Sequence, residues 1–351
     1  MMKCSILYPF DTGLELDFKP EPGFSVYKTM RKCSAGKAVL FNTDFGFADM
    51  DVRIYKFGCG LLTLSFAVDD NLQGLVNISC LSSHITIDDL GITEYCKKVS
   101  EDITKEAESF SNHKYETKLS DSEFFPVFTA AKLDVSPDSF IKKNLRILYG
   151  IISSDSDYEK FSEFILRQDM LINYGYYEDE IILIKRFGAF IASEEADIIT
   201  DVIKLVIARW WLLRSYDYAL ETELDDAQKY LSKIPSGIRI LGSFVHYNRF
   251  SRDSLDFSRE NLEIISSVHS SVREIDSDWH LSMLYKNIGK IFNTEELYKW
   301  VETKITRIED SYDNARDFLS TNFFILLDVI FFLSLAWSIF DTLLLWKISV
   351  K

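Results

Sequence analysis

Apolar and polar residues alternate with a period of two through the first part of the chain. Leu14, Leu16 and Phe18 are interleaved with Glu15 and Asp17, the pattern of a strand with one buried face. Val52–Phe57 and Leu61–Val68 flank Gly58-Cys59-Gly60, which predicts a hairpin with a glycine-rich turn. Leu75–Cys80 reads as a further strand. Over Asp89–His113 the period changes. Ile92, Cys96, Val99, Ile103, Ala107 and Phe110 fall three or four apart and predict a helix with one apolar face. Strand patterns return over Phe124–Leu133 and Ile141–Ile152. Tyr158–Met170 predicts a helix with Phe161, Phe164 and Ile165 inward, and Glu180–Ile191 predicts one or two strands around Gly188. Residues 1–192 are therefore expected to form an α+β domain on a mostly antiparallel sheet.

Strand signals vanish after Ser193, and residues 193–317 read as a helical domain and stalk. Ser193 before Glu194 and Glu195 is an N-cap with an acidic first turn, opening a helix that runs to Ser232. Its apolar section Ile198–Leu213 is interrupted by Asp201, Lys204 and Arg209, which marks a buried helix and not a membrane span. Asp217, Glu221 and Asp225 lie four apart on one face. That spacing suits either a divalent cation or a solvated acidic surface. Pro235-Ser236-Gly237 breaks the chain, and a second long helix is expected over Ile238–Ile275. A short helix follows at Trp279–Phe292. Asn293 or Thr294 then caps a last helix, with Glu295 and Glu296 in its first turn. Ile305, Ile308, Tyr312, Ala315 and Leu319 form a coiled-coil-like seam. It continues in phase through Leu326, Val329, Leu333, Ala336 and Phe340, so one helix is expected from about 294 to 346.

The run Phe318–Trp346 holds no Lys or Arg, and its only formal charges are Asp328 and Asp341. As a helix it would extend about 43 Å at about 1.5 Å per residue, against roughly 30 Å of hydrocarbon in a bilayer. It predicts a single tail-anchored transmembrane helix at 318–346, with the lipid bilayer as partner and the bulk of the chain cytoplasmic. Within it Ser334, Ser338 and Asp341 share one stripe, a candidate interface for a homo-oligomer, while Asp328 lies about 120° away from Ser334.

Composition narrows the function. A formal charge of −15 excludes a general nucleic-acid binder. The five cysteines, Cys4, Cys33, Cys59, Cys80 and Cys96, are widely spaced without C-x-x-C, as expected of reduced thiols. The N-terminus lacks the pattern of a signal peptide. Ser34-Ala35-Gly36-Lys37 lacks the first glycine and the final Ser/Thr of a phosphate loop. His84, His113, His246, His269 and His280 are scattered. The sequence points to no catalytic residue, metal or cofactor.

The stretches RSYDYALETELDDAQKYL (214–231) and DWHLSMLYKNIGKIFNTEELYKWVETKITRIEDSYD (278–313), followed by a terminal apolar run, resemble the YagE-like single-span membrane proteins. The resemblance covers about the last 140 residues. It implies an N-terminal α+β domain, a helical region, one C-terminal membrane helix and homo-oligomers, and it implies no catalytic signature.

Three functions are compatible with these features. The leading one is a non-enzymatic, membrane-anchored scaffold or effector that self-associates through its stalk and terminal helix. A second is an oligomeric transport or ion-conducting protein with membrane carboxylates at Asp328 and Asp341. A third is an N-terminal ligand-sensing domain that signals to the membrane span, for which a concave pocket with convergent polar groups would be the mark.

Overall fold

The computed structural model describes residues 2–16, 18, 27–114, 119, 123–131, 133, 135–168, 171–232, 252 and 278–349. The chain divides into two compact units. The first comprises residues 1–219 and 264–299, the second residues 220–263 and 300–351. The expected helix over 238–275 lies outside the described residues.

The first unit is built on a nine-stranded, mostly antiparallel sheet, in the order β10-β11-β9-β1-β5-β4-β3-β6-β7. Its centre is formed by β1 (Met2–Asp11), β5 (Cys59–Val68), β4 (Thr43–Tyr55) and β3 (Tyr27–Leu40). β6 (Thr86–Ile87) and β7 (Leu90–Gly91) extend one edge. On the other side lie β9 (Phe125–Ala130), β11 (Gly188–Ala192) and β10 (Ile181–Lys185), and β9 and β11 pair in parallel. β2 (Leu14–Leu16) and β8 (Ser111–Lys114) make a separate ribbon. The expected hairpin around Gly58 joins β4 to β5, with Gly58 at φ 87°, where a side chain would be strained. The outer edge at β10 is not left open. Ile182 donates its N–H to Asn173 Oδ1 at 2.8 Å and accepts from Tyr174 N at 2.9 Å, which blocks further strand addition there.

Alternation gives the sheet two unlike faces. One turns Cys4, Ile6, Met50, Val52, Leu62, Leu64, Phe66, Phe128 and Phe190 into a continuous apolar core. It is covered by α1 (Leu72–Cys80), α2 (Ile92–Ala107) and α4 (Leu145–Ser153), whose Leu75, Ile103 and Ile151 are fully buried. The expected face of α2 is the buried one. Two expected strands are helices. Leu75–Cys80 belongs to α1, because Asn71 caps it by accepting from Gln73 N, and a short apolar run carries no period of its own. Ile141–Ile152 divides into α3 (Pro137–Lys143), started by Pro137 in its first turn, and α4. Of the expected inner face, Phe161 packs against the core just before α5 (Glu163–Gln168), whereas Phe164 and Ile165 within it are turned outward, Phe164 68% exposed.

The other face is covered by α6 (Ala196–Ser232) and α7 (Trp279–Ile291). Ser193 is the expected cap, but it stands just outside α6. Its hydroxyl accepts from Glu195 N at 3.0 Å in the turn before the helix, and the first helical bond, Ile199 N to the Glu195 carbonyl, puts the cap position at Glu195. α6 is fixed to the sheet at two polar points with apolar packing between them. One is Asp201 against Arg53 of β4. The other is Ser215, whose hydroxyl donates to Asp11 of β1. These positions are fourteen residues apart, close to four full turns, so both face the sheet. Val202, Leu205, Ala208 and Leu212 are buried along the same stretch. α7 adds Leu284 and Ile288, and Phe292 beyond it packs its ring on Phe125 and Trp210.

α8 (Thr294–Ser349) is one helix of 56 residues, as the continuous seam predicts. In the second unit Val301, Ile305, Ile308 and Tyr312 are buried together with Leu220 of α6. Lys304 pairs with Glu221, and the Tyr312 hydroxyl donates to Glu223 at 3.2 Å.

The expected transmembrane segment at 318–346 is corrected here. Among the described residues no helix is long and apolar enough to cross a membrane. The stretch between Asp328 and Asp341 that is free of charge has only 12 residues, about 18 Å of helix against roughly 30 Å of hydrocarbon. The single-pass, tail-anchored reading and the membrane localisation derived from it are withdrawn with it.

Candidate functional site

The strand register gathers one polar patch on the α6 face of the sheet. Ser5 of β1 stands beside Ser65 of β5, Ser65 beside Asp49 of β4, and Asp49 beside Ser34 of β3. In the next row Leu7, Thr63, Asp51 and Lys32 are neighbours, and in the row beyond, Leu61 and Arg53. Directly paired residues point to the same face, so these side chains converge. α6 lays Asp197, Thr200, Asp201 and Lys204 over them at spacings of three and four, one face of a helix. Lys3 and Thr129 complete the wall of a cleft of about 590 Å³. The floor is made of small hydroxyls, and Ser5 and Ser65 hydrogen-bond each other at 2.8 Å.

Four charged groups form one cluster at the inner end. Arg53 donates through Nε to Asp51 and through Nη1 to Asp201, both at 2.9 Å. Lys204 Nζ lies 3.3 Å from Asp201 and 3.8 Å from Asp51. The Arg53 guanidinium also stacks 4.4 Å from the centre of the Tyr27 ring. Burial opposes the charge on Arg53, and the two aspartates outweigh it, so its pKa is raised. Burial prevails at Lys204, helped by Arg53 and opposed by Asp201 and Asp51, and its pKa is lowered. The cluster is neutral as a whole, with two cations balancing two anions.

A second charged group sits beside the sheet's outer strands. Glu123 bridges Arg186 and Arg214 at 2.6 Å each, and both guanidinium groups lie over the Trp210 ring, at 4.0 and 4.8 Å. Burial raises the Glu123 pKa, but Arg214 and Arg186 hold it below the usual carboxylate range. This clamp reads as a fastening of the β10–β11 turn to α6.

The residues singled out in the sequence are placed elsewhere. Ser334, Ser338, Asp328 and Asp341 are exposed on α8 in the second unit, and Thr342 donates back to the Ser338 carbonyl at 2.8 Å. Of the acidic stripe, Glu221 is paired with Lys304, and Asp225 is exposed. No group of three His, Cys, Asp or Glu side chains suited to a metal ion occurs among the described residues. The cleft was not singled out from sequence. Its signal was present in the alternation Asp49-x-Asp51-x-Arg53 and Thr63-x-Ser65, and in Asp201 and Lys204 interrupting an apolar helix. Only the pairing register joins them.

No protein-family model matches the chain, and no solved structure matches it. An uncharacterized protein of Methanocaldococcus jannaschii is 26% identical over 196 residues, 55% of this chain and 57% of that protein. The chain thus spans a little over half of that relative's length.

Proposed function

We propose that the first unit is a binding domain for a small polar ligand, held in the cleft between β1, β5, β4 and α6. The observation that carries this reading is the hydroxyl and charged floor at Ser5, Thr63, Ser65 and Asp49. Elsewhere the same sheet face is closed by apolar packing, as at Leu7, Leu61 and Val127. Folding alone favours extending that packing, since burying polar groups costs free energy and gives no apolar gain. The cleft falls within the volume range of small-molecule sites, and its lining is more polar than is usual for them, as suits a polar ligand. α6 supplies the cleft wall through Asp197, Thr200, Asp201 and Lys204. Thermal-shift and calorimetric titration of the full chain against small polar metabolites tests the reading. Ser65→Phe, which fills the floor, should abolish any binding found; binding indifferent to it would place the ligand elsewhere.

A second reading is supported by α8. Phe331, Phe332, Leu333 and Trp337 are 63–70% exposed, and exposed apolar side chains recur from Phe324 to Trp346. Contiguous apolar surface of this kind marks interaction sites. The proposed occupant is a second copy of the chain, as the likeness to the YagE-like proteins also implies. Ser334 and Ser338, four apart, give a low strip where another helix can approach. Chemical cross-linking of the purified chain should trap oligomers, and Ser338→Leu should weaken them. A monomer at every concentration would remove the scaffold reading.

A further inference from the structure

Charge accounting around the cleft specifies its ligand more closely. Arg53, Lys204, Asp51 and Asp201 satisfy one another, so they offer no uncompensated charge. Four other charged residues line the same cleft: Lys3, Lys32, Asp49 and Asp197. All four are exposed, and none forms an ion pair with a described residue. They are two cations and two anions. Register places Lys32 one row from Asp49 on the adjacent strand, since Lys32 pairs with Asp51 and Ser34 with Asp49. The cleft therefore presents both signs of charge across a floor of hydroxyls.

A purely anionic ligand would meet Asp49 and Asp197 as well as the lysines, and a purely cationic one would meet Lys3 and Lys32. Like charges brought together in the cleft cost free energy, and opposite charges return it. A neutral polyol would use the hydroxyls and leave four charges to solvent. We infer that the cleft takes a small dipolar ligand of the amino-acid class, its ammonium group toward Asp49 and Asp197 and its carboxylate toward Lys3 and Lys32. This inference rests on the cleft being a binding site. It adds that both charges of the ligand are required.

The test is isothermal titration of the full chain with five probes: L-lysine, L-glutamate, succinate, putrescine and glucose. The inference expects binding of an amino acid, with succinate and putrescine at least tenfold weaker. Asp49→Asn and Lys32→Gln, both at exposed positions, should each weaken it about tenfold or more without changing the melting temperature. Loss of binding in both variants supports the dipolar assignment. Equal or tighter binding of succinate, putrescine or glucose, abolished by Ser65→Phe, would overturn the ligand class and leave the cleft as a site. Amino-acid binding unaffected by Asp49→Asn and Lys32→Gln would also overturn it. Failure of both amino acids would overturn the dipolar assignment, while the cleft reading itself falls only if the wider metabolite titration finds no binding that Ser65→Phe abolishes.

Discussion

Arg53 on β4 and Asp201 on α6 are 148 residues apart in the chain and 2.9 Å apart in the fold. The contact joins the centre of the sheet to the helix that covers it, and it forms the inner wall of the cleft. Its partners Asp51 and Lys204 make a four-group unit whose side chains are 9–25% exposed. Removing one member leaves an unbalanced charge in a largely dehydrated place. Asp201→Ala should therefore cost about 2–4 kcal/mol of stability, read as a lower urea midpoint. Asp201→Ala combined with Lys204→Met should recover part of the loss. If the double variant is no more stable than Asp201→Ala alone, the two residues do not act as a pair.

Lys204 gives the same cluster a pH signature. Its pKa in the fold lies below the ordinary lysine value of about 10.4, so between those two values the unfolded chain binds more protons than the native one. Stability contributed at this site should rise with pH across that window. It is lost as pH falls through the folded pKa, where the buried charge must be carried. Lys204→Met should flatten that rise in urea unfolding on the alkaline side of neutrality, and an unchanged slope would assign it to other groups.

The thiols should separate by burial. Cys33 is exposed, Cys80 half-buried, and Cys4, Cys59 and Cys96 are buried. Burial pushes the last three thiols upward in pKa, which starves them of thiolate. Under native conditions a maleimide should modify Cys33 first, and the buried three only after denaturant is added. Peptide mapping by mass spectrometry reads the order, and early labelling of Cys4 or Cys59 would contradict the packing of β1 on β5.

Gly60 owes its identity to a neighbour. A Cβ built there would lie 2.1 Å from the Phe10 ring, which crosses directly over the backbone of β5. Gly60→Ala must displace a ring that is 5% exposed in the core, at a cost of about 2–3 kcal/mol in thermal or urea unfolding. Phe10→Leu in the same chain should recover part of it by vacating the space. No recovery would mean that the cost lies in the backbone.

Much of this architecture is legible in local pattern. The face of α2 from Ile92 to Ala107, the hairpin at Gly58 and the unbroken α8 all follow from period and turn chemistry. The two strands expected at Leu75–Cys80 and Ile141–Ile152 fail because short apolar runs carry no reliable period, and Asn71 and Pro137 decide for helix. The membrane span fails because no helix among the described residues is long and apolar enough to cross a membrane, and Asp328 and Asp341 bracket only 12 uncharged residues. The cleft depends on something no local window holds. Ser5, Asp49 and Ser65 become neighbours only through the register of β1, β5 and β4, and Asp201 joins them from a helix 136 residues beyond Ser65.

In the second unit, Glu223 and Tyr312 offer a test of how α6 and α8 are joined. The Tyr312 hydroxyl donates to Glu223 Oε1 at 3.2 Å. Burial raises the Glu223 pKa above the ordinary carboxylate value, and the Tyr312 bond pulls in the opposite direction without cancelling it. The native state therefore binds more protons here than the unfolded chain between the two pKa values. Stability from this site is present in full below the unfolded value of about 4.3 and is lost as pH rises through the folded one. Glu223→Gln should remove that dependence, because the amide cannot ionise and still accepts from Tyr312. Tyr312→Phe should do the reverse: without its donor the carboxylate is less favourable still, and the decline should extend to higher pH. Urea midpoints measured from pH 4 to 8 read both. If Tyr312→Phe leaves the profile where it was, the hydroxyl does not hold the carboxylate, and the packing of Leu220, Val301, Ile305 and Ile308 with the Lys304–Glu221 pair carries the contact.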